Sequence, residues 1–482
     1  MRLTAMKKKW ARFWALFVLA ALAASCAINP VTGKKELSLI SEEGEISLGQ
    51  ETDGEIQRQY GVYADPALTA YITAVGQKMA PLTHRPNLKY TFQVLDTSVV
   101  NAFAVPGGYI YVTRGLLAMM NSEAELATVL GHELGHVNAR HSIRRMSEMI
   151  LIQVGLAIGS LINDTFAELA GVASIGIQLL YLKFSRDDER QADALGVDYA
   201  RKASYNPGPI IGFFASLQKL GDLQGGHSLP GFLSTHPLEA ERIKNTTKML
   251  LPGDASLTFN RNEYLRRVDN IVYGDDPRQG YVEGNAFYQP TMRFAFSIPA
   301  EWKVDNTPSQ VTIVSPDKNA GFILEAEQTQ DSLQSYASKK AQSLENRKFL
   351  NEQSLVINGL SSFHQLYDIP QQDAETLRVR LSFIRKGGMI YSFTALSSAA
   401  GFGGYDTGFQ NMVRSFRDLS DPRFLNRQPV RLRLIKPNGL QNLQAIFQAN
   451  NIKKDGWPKM AILNSLELQE VPSPSRLVKI MR

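Results

Sequence analysis

Cysteine is nearly absent from this chain: Cys26 is the only one in 482 residues. No internal disulfide can form, so the fold must rest on buried apolar area. Long apolar runs are also missing. The run from Phe13 to Ala24 is too short for a comfortable membrane span. The apolar stretch 149–182 is broken by Asn163-Asp164 and carries Glu168 and glycines, so it reads as buried core helices, with a membrane-facing surface or a mobile apolar cover over an active site as the alternatives. A real charge excess is lacking too. Arg2, Lys7, Lys8, Lys9 and Arg12 supply most of the formal +6, so the basic balance is no sign of nucleic-acid binding. Bias toward disorder is missing: 44% of residues are hydrophobic and 20% charged, as in globular proteins. The length exceeds one ordinary core and predicts about two to four domains.

What is present centres on His132-Glu133-Leu134-Gly135-His136. The run from Ser122 to His141 reads as one long helix reaching Arg144 or beyond, capped by Asn121 or Ser122. Residues four apart share a helix face, so His132 and His136 can aim two imidazoles at one zinc ion. Glu133, one step round, can hold a water there and take its proton. Two ordinary helical histidines are the alternative. On that continuous helix His141 lies about 140° beyond His136, which predicts a surface residue.

Two histidines leave such a zinc short of a protein ligand. The polar helical stretch from Phe184 to Gly196 offers Glu189 and Asp193 on one face. One can bind metal while the other accepts the N–H of a ligand histidine. The spacing does not say which, and a solvated charged face is the alternative. Upstream, Val99 to Val112 reads as strand, Pro-Gly-Gly turn, strand. It is either a hairpin packed on the metal helix or a free edge for an extended peptide. His236 falls in a loop, with Pro237 opening a helix.

The N-terminal basic and apolar segment is a secretory signal. Ending at Cys26, it resembles a bacterial lipoprotein signal, although Ala23 stands where leucine is usual. That resemblance implies lipidation of Cys26, and Ala27 after it implies transfer to the outer membrane. Asn29-Pro30 and Thr32-Gly33 then mark a tether or irregular arm.

Four pieces in order carry a more specific resemblance. They are Asn101-Ala-Phe-Ala with Pro-Gly-Gly, His132-Glu133-x-x-His136, Glu189-x-x-x-Asp193, and Ser234-Thr235-His236-Pro237 followed by Arg242. Together they resemble the HtpX-, Oma- and BepA-type zinc metallopeptidases, peptidase family M forty-eight, over roughly residues 27–255. The resemblance implies one Zn2+ on His132, His136 and Glu189, with Glu133 as general base. It implies that Asp193 orients His132, that His236 stabilises the oxyanion or closes the open metal position, and that Arg242 is a basic residue near the site. The strand at Asn101, Ala102 and Phe103 would pair with substrate. The implied protein is an endopeptidase that cleaves misfolded or stalled envelope proteins, anchored in the periplasm to the outer membrane through Cys26. The competing reading is an outer-membrane assembly chaperone with a latent protease site. Partners would be unfolded proteins and assembly machinery, with no nucleic acid.

The second half changes character. Phe294-Ala-Phe-Ser-Ile-Pro-Ala-Glu-Trp302, with strands to Leu396 around a helix from Ser332 and a helix at 404–416, resembles the PsbP/Mog-type α/β fold. Residues 430–482 run strand, two helices, strand, an order similar to LysM modules, with Asn464 at a typical position but without the usual Gly-Asp-Thr. The expectation is thus an α+β multidomain chain. It has a signal peptide (1–25), then a mainly helical zincin-type metallopeptidase domain with a small sheet (26–255), then a linker (256–285). A PsbP/Mog-like α/β domain (286–420) and a small LysM-like module (428–482) follow.

Overall fold

The computed structural model describes residues 26–160, 184–223, 232, 236, 240–371 and 374–482. The expected signal (1–25) and most of the apolar stretch 149–182 lie outside these residues. Among the described residues no helix is long and apolar enough to cross a membrane. The chain is mixed helix and sheet and divides into two compact units. The first comprises 1–57, 61–274 and 431–482; the second comprises 58–60 and 275–430.

The first unit is mainly helical around a three-stranded sheet. Strand Tyr109–Thr113 lies between Thr91–Leu95, parallel to it, and Ala102–Val105, antiparallel, so Ala102–Val105 forms an edge. The Pro-Gly-Gly turn joins the antiparallel pair, and Gly107 and Gly108 there take φ of 78° and 92°. That left-handed backbone is open to glycine at little cost. Phe92, Val94, Ile110 and Val112 bury one face of the sheet in a core shared with helix Pro66–Met79 and the motif helix Glu123–Asn138.

The motif helix stops sooner than its sequence pattern suggests. It ends at Asn138, Arg140 adopts φ 55°, and a second helix, His141–Ser160, starts in a new direction. Arg140 is held there by Glu45, with Nε 2.9 Å from Oε2. Asn29 of the N-terminal arm donates to the Ala139 carbonyl at 3.2 Å. The arm is therefore docked at this break.

Two expected boundaries are corrected. Residues 257–274 belong to the first unit, because helix Arg261–Val268 buries Tyr264, Leu265 and Val268 in its core. They are no linker. The segment 431–482 does have the expected order of strand Leu432–Ile435, helices Leu443–Ala449 and Trp457–Asn464, and strand Val478–Met481. It is no separate module, since its Leu443, Phe447 and Leu463 join the same core. Lys479, fully buried, donates to the carbonyls of Ala118, Met119 and Met120 at 2.8, 3.1 and 3.0 Å. Asn464 ties helix to strand through the Lys479 backbone at 2.8 and 2.9 Å.

The second unit holds a seven-stranded antiparallel sheet. Its order is Lys348–Ile357, Leu360–Ile369, Leu377–Lys386, Met389–Ser398, Ala320–Gln328, Gln310–Val314, Lys303–Asn306. Helices Leu333–Gln342 and Phe402–Arg414 pack into its two apolar clusters. Trp302 packs edge-on to Phe409, their rings 5.8 Å apart.

Candidate metal centre

Two helices meet where neither has a side chain. A Cβ on Gly131 would lie 2.9 Å from the Gly196 carbonyl, and one on Gly196 would lie 2.9 Å from the His132 nitrogen. The motif helix and helix Arg186–Lys202 therefore touch backbone to backbone. This close approach carries Glu189 and Asp193 to His132 and His136. Ser122 caps the first helix by accepting from the Glu125 N–H at 3.2 Å. Ser185 and Asp188 form a reciprocal capping box on the second.

His132, His136, Glu189 and His236 each present one ligand atom, and these atoms lie within 4.8 Å of one another. All four residues are buried. His132 Nε2 lies 3.0 Å from His136 Nε2 and 3.3 Å from His236 Nδ1. Glu189 Oε1 is 2.9 Å from His236 Nδ1 and 3.6 Å from His136 Nε2. The other nitrogen of His132, Nδ1, is 3.0 Å from Asp193 Oδ1. That contact fixes Nδ1 as the protonated nitrogen and leaves Nε2 with its lone pair toward the cluster.

Arg242 closes the back of the site. Its Nε and Nη2 form a two-point pair with the Asp193 carboxylate at 2.8 and 2.7 Å, and its Nη1 lies 2.8 Å from Glu189 Oε2. Burial works against ionised Asp193, but Arg242 and His132 win and hold its pKa below the usual range. Glu189 is likewise lowered: burial opposes this, while His236, His132 and Arg242 outweigh it. Glu133 goes the other way, raised chiefly by burial. The Ala104 backbone N–H of the edge strand faces its carboxylate and works weakly against that rise. His136 is pushed well below its usual range by burial and by the surrounding histidines and Arg242.

The residues fit a metal. Convergent nitrogen lone pairs repel in the absence of a shared cation, and Glu133 Oε1 and His236 Nε2 are buried with no hydrogen-bond partner among the described residues. Three imidazoles and one carboxylate, with two outer positions engaged by Asp193 and Arg242, form a donor set suited to a borderline-soft dication.

Every residue expected at the centre from the sequence is brought together: His132, Glu133, His136, Glu189, Asp193, His236 and Arg242. The edge strand is close, through Ala104 to Glu133, and carries buried Ala102 and Phe103. Asn101 precedes it, with its backbone N–H donating to Thr113 Oγ1 at 3.0 Å. Phe232 stacks on His236 at 4.9 Å and donates its backbone N–H to the Val100 carbonyl at 2.7 Å.

One expectation is wrong. His141 is not on the surface but fully buried, with Nδ1 2.9 Å from His136 Nδ1. The break at Arg140 turns the chain back and defeats the reckoning along a straight helix. Phe184, stacked on His136 at 4.0 Å, was also not singled out by the sequence. Its position just before the acidic helix was the available signal.

Comparison with known proteins gives concordant matches. Residues 66–250 match the model of Peptidase family M48. The chain is 29% identical over 259 residues to the beta-barrel assembly-enhancing protease of Yersinia pestis, covering 51% of this chain and 52% of that protein. It is 37% identical over 167 residues to the mitochondrial metalloendopeptidase OMA1 of Arabidopsis thaliana, covering 34% and 32% of the two chains. It is 32% identical over 171 residues to the metalloprotease YcaL of Escherichia coli K12, covering 34% and 63%. The chain thus spans about half the length of the first curated relatives it matches. Among solved structures, cyanobacterial PsbP from Synechocystis is 12% identical, covers 29% of this chain and 96% of its own, and aligns at a TM-score of 0.25.

Proposed function

We propose, on the premise that residues 66–250 are a peptidase family M48 domain, that this chain is a zinc-dependent endopeptidase of the bacterial cell envelope. The observation that carries the reading is the buried His132, His136, Glu189 set with Glu133 beside it. His132, His136 and Glu189 hold the metal. A zinc ion there supplies Lewis acidity that activates water and polarises a peptide carbonyl. Glu133 accepts the proton of the attacking water and delivers it to the leaving amine. Burial raises its pKa above the ordinary carboxylate range, which makes it a stronger base. Asp193 holds His132 in the ligating tautomer, and Arg242 keeps Asp193 ionised.

Substrate enters as an extended strand along Asn101, Ala102 and Phe103. The Ala104 N–H facing Glu133 puts that strand beside the general base. Misfolded or stalled envelope proteins are the substrate class, and the chain is anchored by a lipid at Cys26 to the periplasmic face of the outer membrane. The names of the relatives and the signal-like N-terminus support this placement. The PsbP/Mog-like portion positions substrate or partners.

A second reading is favoured by one observation. His236 Nδ1 already lies within the ligand set, 2.9 Å from Glu189 Oε1. As a fourth ligand it closes the position that water needs, leaving an assembly chaperone with a latent protease site. The test is zinc content and casein cleavage for the wild type, Glu133→Gln and His236→Ala. We expect stoichiometric zinc in all three, with cleavage lost by about 10²–10⁴-fold in Glu133→Gln. Cleavage confined to His236→Ala supports the latent form. A wild type that takes up no zinc refutes the enzyme reading.

A further inference from the structure

The two motif histidines are held from behind in different ways. His132 has a carboxylate, Asp193, at 3.0 Å. Among the described residues His136 has no acid against its far nitrogen. It meets His141 instead, Nδ1 to Nδ1 at 2.9 Å, and His141 Nε2 then meets Gln191 Oε1 at 2.9 Å. Asp188 Oδ1 stands 3.6 Å from the same Nε2 but accepts from Arg144, and Asp188 Oδ2 accepts from the Ser185 backbone N–H. It is therefore committed elsewhere.

The directions of these bonds are set by the metal reading on which this inference rests. A ligating His136 needs its lone pair on Nε2, so its proton sits on Nδ1 and is donated to His141 Nδ1. His141 must accept there, which leaves its own proton on Nε2, donated to the Gln191 oxygen. A carboxamide can turn either its oxygen or its NH2 group toward a neighbour. Only the oxygen-forward arrangement is consistent with a ligating His136. We propose that His141 and Gln191 are positioning residues that fix the tautomer and ring plane of His136 for the metal, through a neutral two-step relay. The relay places no further negative charge in a site that already buries Glu133, Glu189 and Asp193.

The test uses the full-length chain with His141→Phe, Gln191→Leu and Gln191→Glu. Zinc affinity is read by competition with a chromogenic chelator, and the thermal midpoint is read on metal-free protein. Outer partners of ligand histidines are typically worth about 10–100-fold in affinity. His141→Phe keeps a ring of similar size but cannot accept, so a loss in that range is expected with a metal-free midpoint within about 3 °C of wild type. Gln191→Leu loses about 3–10-fold, as one step further from the metal. Gln191→Glu can only accept, and binds zinc as tightly as wild type or tighter.

If His141→Phe and Gln191→Leu both bind zinc within threefold of wild type, the relay is refuted while the metal site stands. Equal weakening by Gln191→Glu and Gln191→Leu also refutes it, because the accepting oxygen is then irrelevant. Should His141→Phe fail to fold, the two Gln191 variants decide alone. A wild type without zinc affinity overturns the metal reading itself.

Discussion

The glycine crossing makes a quantitative demand. Replacing Gly196 by alanine puts a Cβ 2.9 Å from the His132 nitrogen and 3.1 Å from both His132 Cα and the Thr128 carbonyl oxygen. All three are backbone atoms, so no side chain can swing away. Restoring ordinary contact near 3.5 Å needs the helices to part by about 0.6 Å. Overpacking of this kind costs about 1–3 kcal/mol, against which alanine returns up to ~1 kcal/mol of helix propensity. The net loss is ~0–2 kcal/mol, or at most a few degrees in midpoint. The functional loss is larger. The His132–Asp193 bond, 3.0 Å now, spans the same crossing. Lengthened by that parting it leaves the hydrogen-bond range, and zinc affinity falls by about 10–100-fold. Gly212→Ala is the control, because a Cβ there meets nothing within 4 Å and the residue lies in helix Ile210–Leu223. It should be neutral or stabilising by up to ~1 kcal/mol. Metal-free thermal unfolding and zinc competition on both variants decide. If Gly196→Ala matches Gly212→Ala in both, the backbone contact is not what sets the ligand geometry.

Two further predictions concern buried polar groups away from the metal. Lys479→Met leaves the carbonyls of Ala118, Met119 and Met120 without their donor, which should cost ~3 kcal/mol in urea unfolding; a loss under ~1 kcal/mol would show those carbonyls find other partners. Burial holds the His364 imidazole down at about 4, against 6.5 when exposed. Below 6.5 the unfolded chain therefore takes up a proton that the folded chain refuses until near 4, so stability drops with acid across that window. At pH 5 the loss relative to pH 7 is ~2 kcal/mol. Denaturant unfolding at the two pH values should show a loss larger by ~2 kcal/mol in wild type than in His364→Gln, which can still bond Ser362 and Ser382. Equal pH slopes in the two proteins would exclude His364 as the source.

Much of the centre was legible because its chemistry is local in sequence. The spacing of His132 with His136, and of Glu189 with Asp193, is one helical turn, and a helix turns that spacing into a shared face whatever its surroundings. The strands of the second unit were legible for a similar reason, since alternation marks them without any knowledge of partners. What could not be read was set by one backbone angle or by tertiary contact. His141 depends on Arg140 taking φ 55°, which is unusual for arginine and is held by Glu45, ninety-five residues earlier. No periodicity carries that information. The residues that complete the core after 256 were misread because Tyr264 stands in polar, turn-rich sequence and Lys479 is itself a charge, and their burial shows only once their partners are in place.

Those late contacts change what counts as the metal-binding unit. The motif helix is held near both ends by chain far from it in sequence. Asn29 reaches Ala139 just beyond its last turn, and Asn121, just before its first, donates to the Leu463 carbonyl and Ser465 Oγ at 3.1 Å each. The C-terminal strand enters the first unit beside the residues where the chain leaves it. Asn270 donates to the Leu432 carbonyl at 2.8 Å and Leu432 to the Ile271 carbonyl at 2.9 Å. Residues 275–430 are thus an insertion whose two ends are stitched together within the first unit. An insertion with adjacent ends leaves the course of the host chain uninterrupted, so its length is free to differ. The final fifty residues have no such freedom. Their buried lysine and asparagine are part of what holds the start of the motif helix in place.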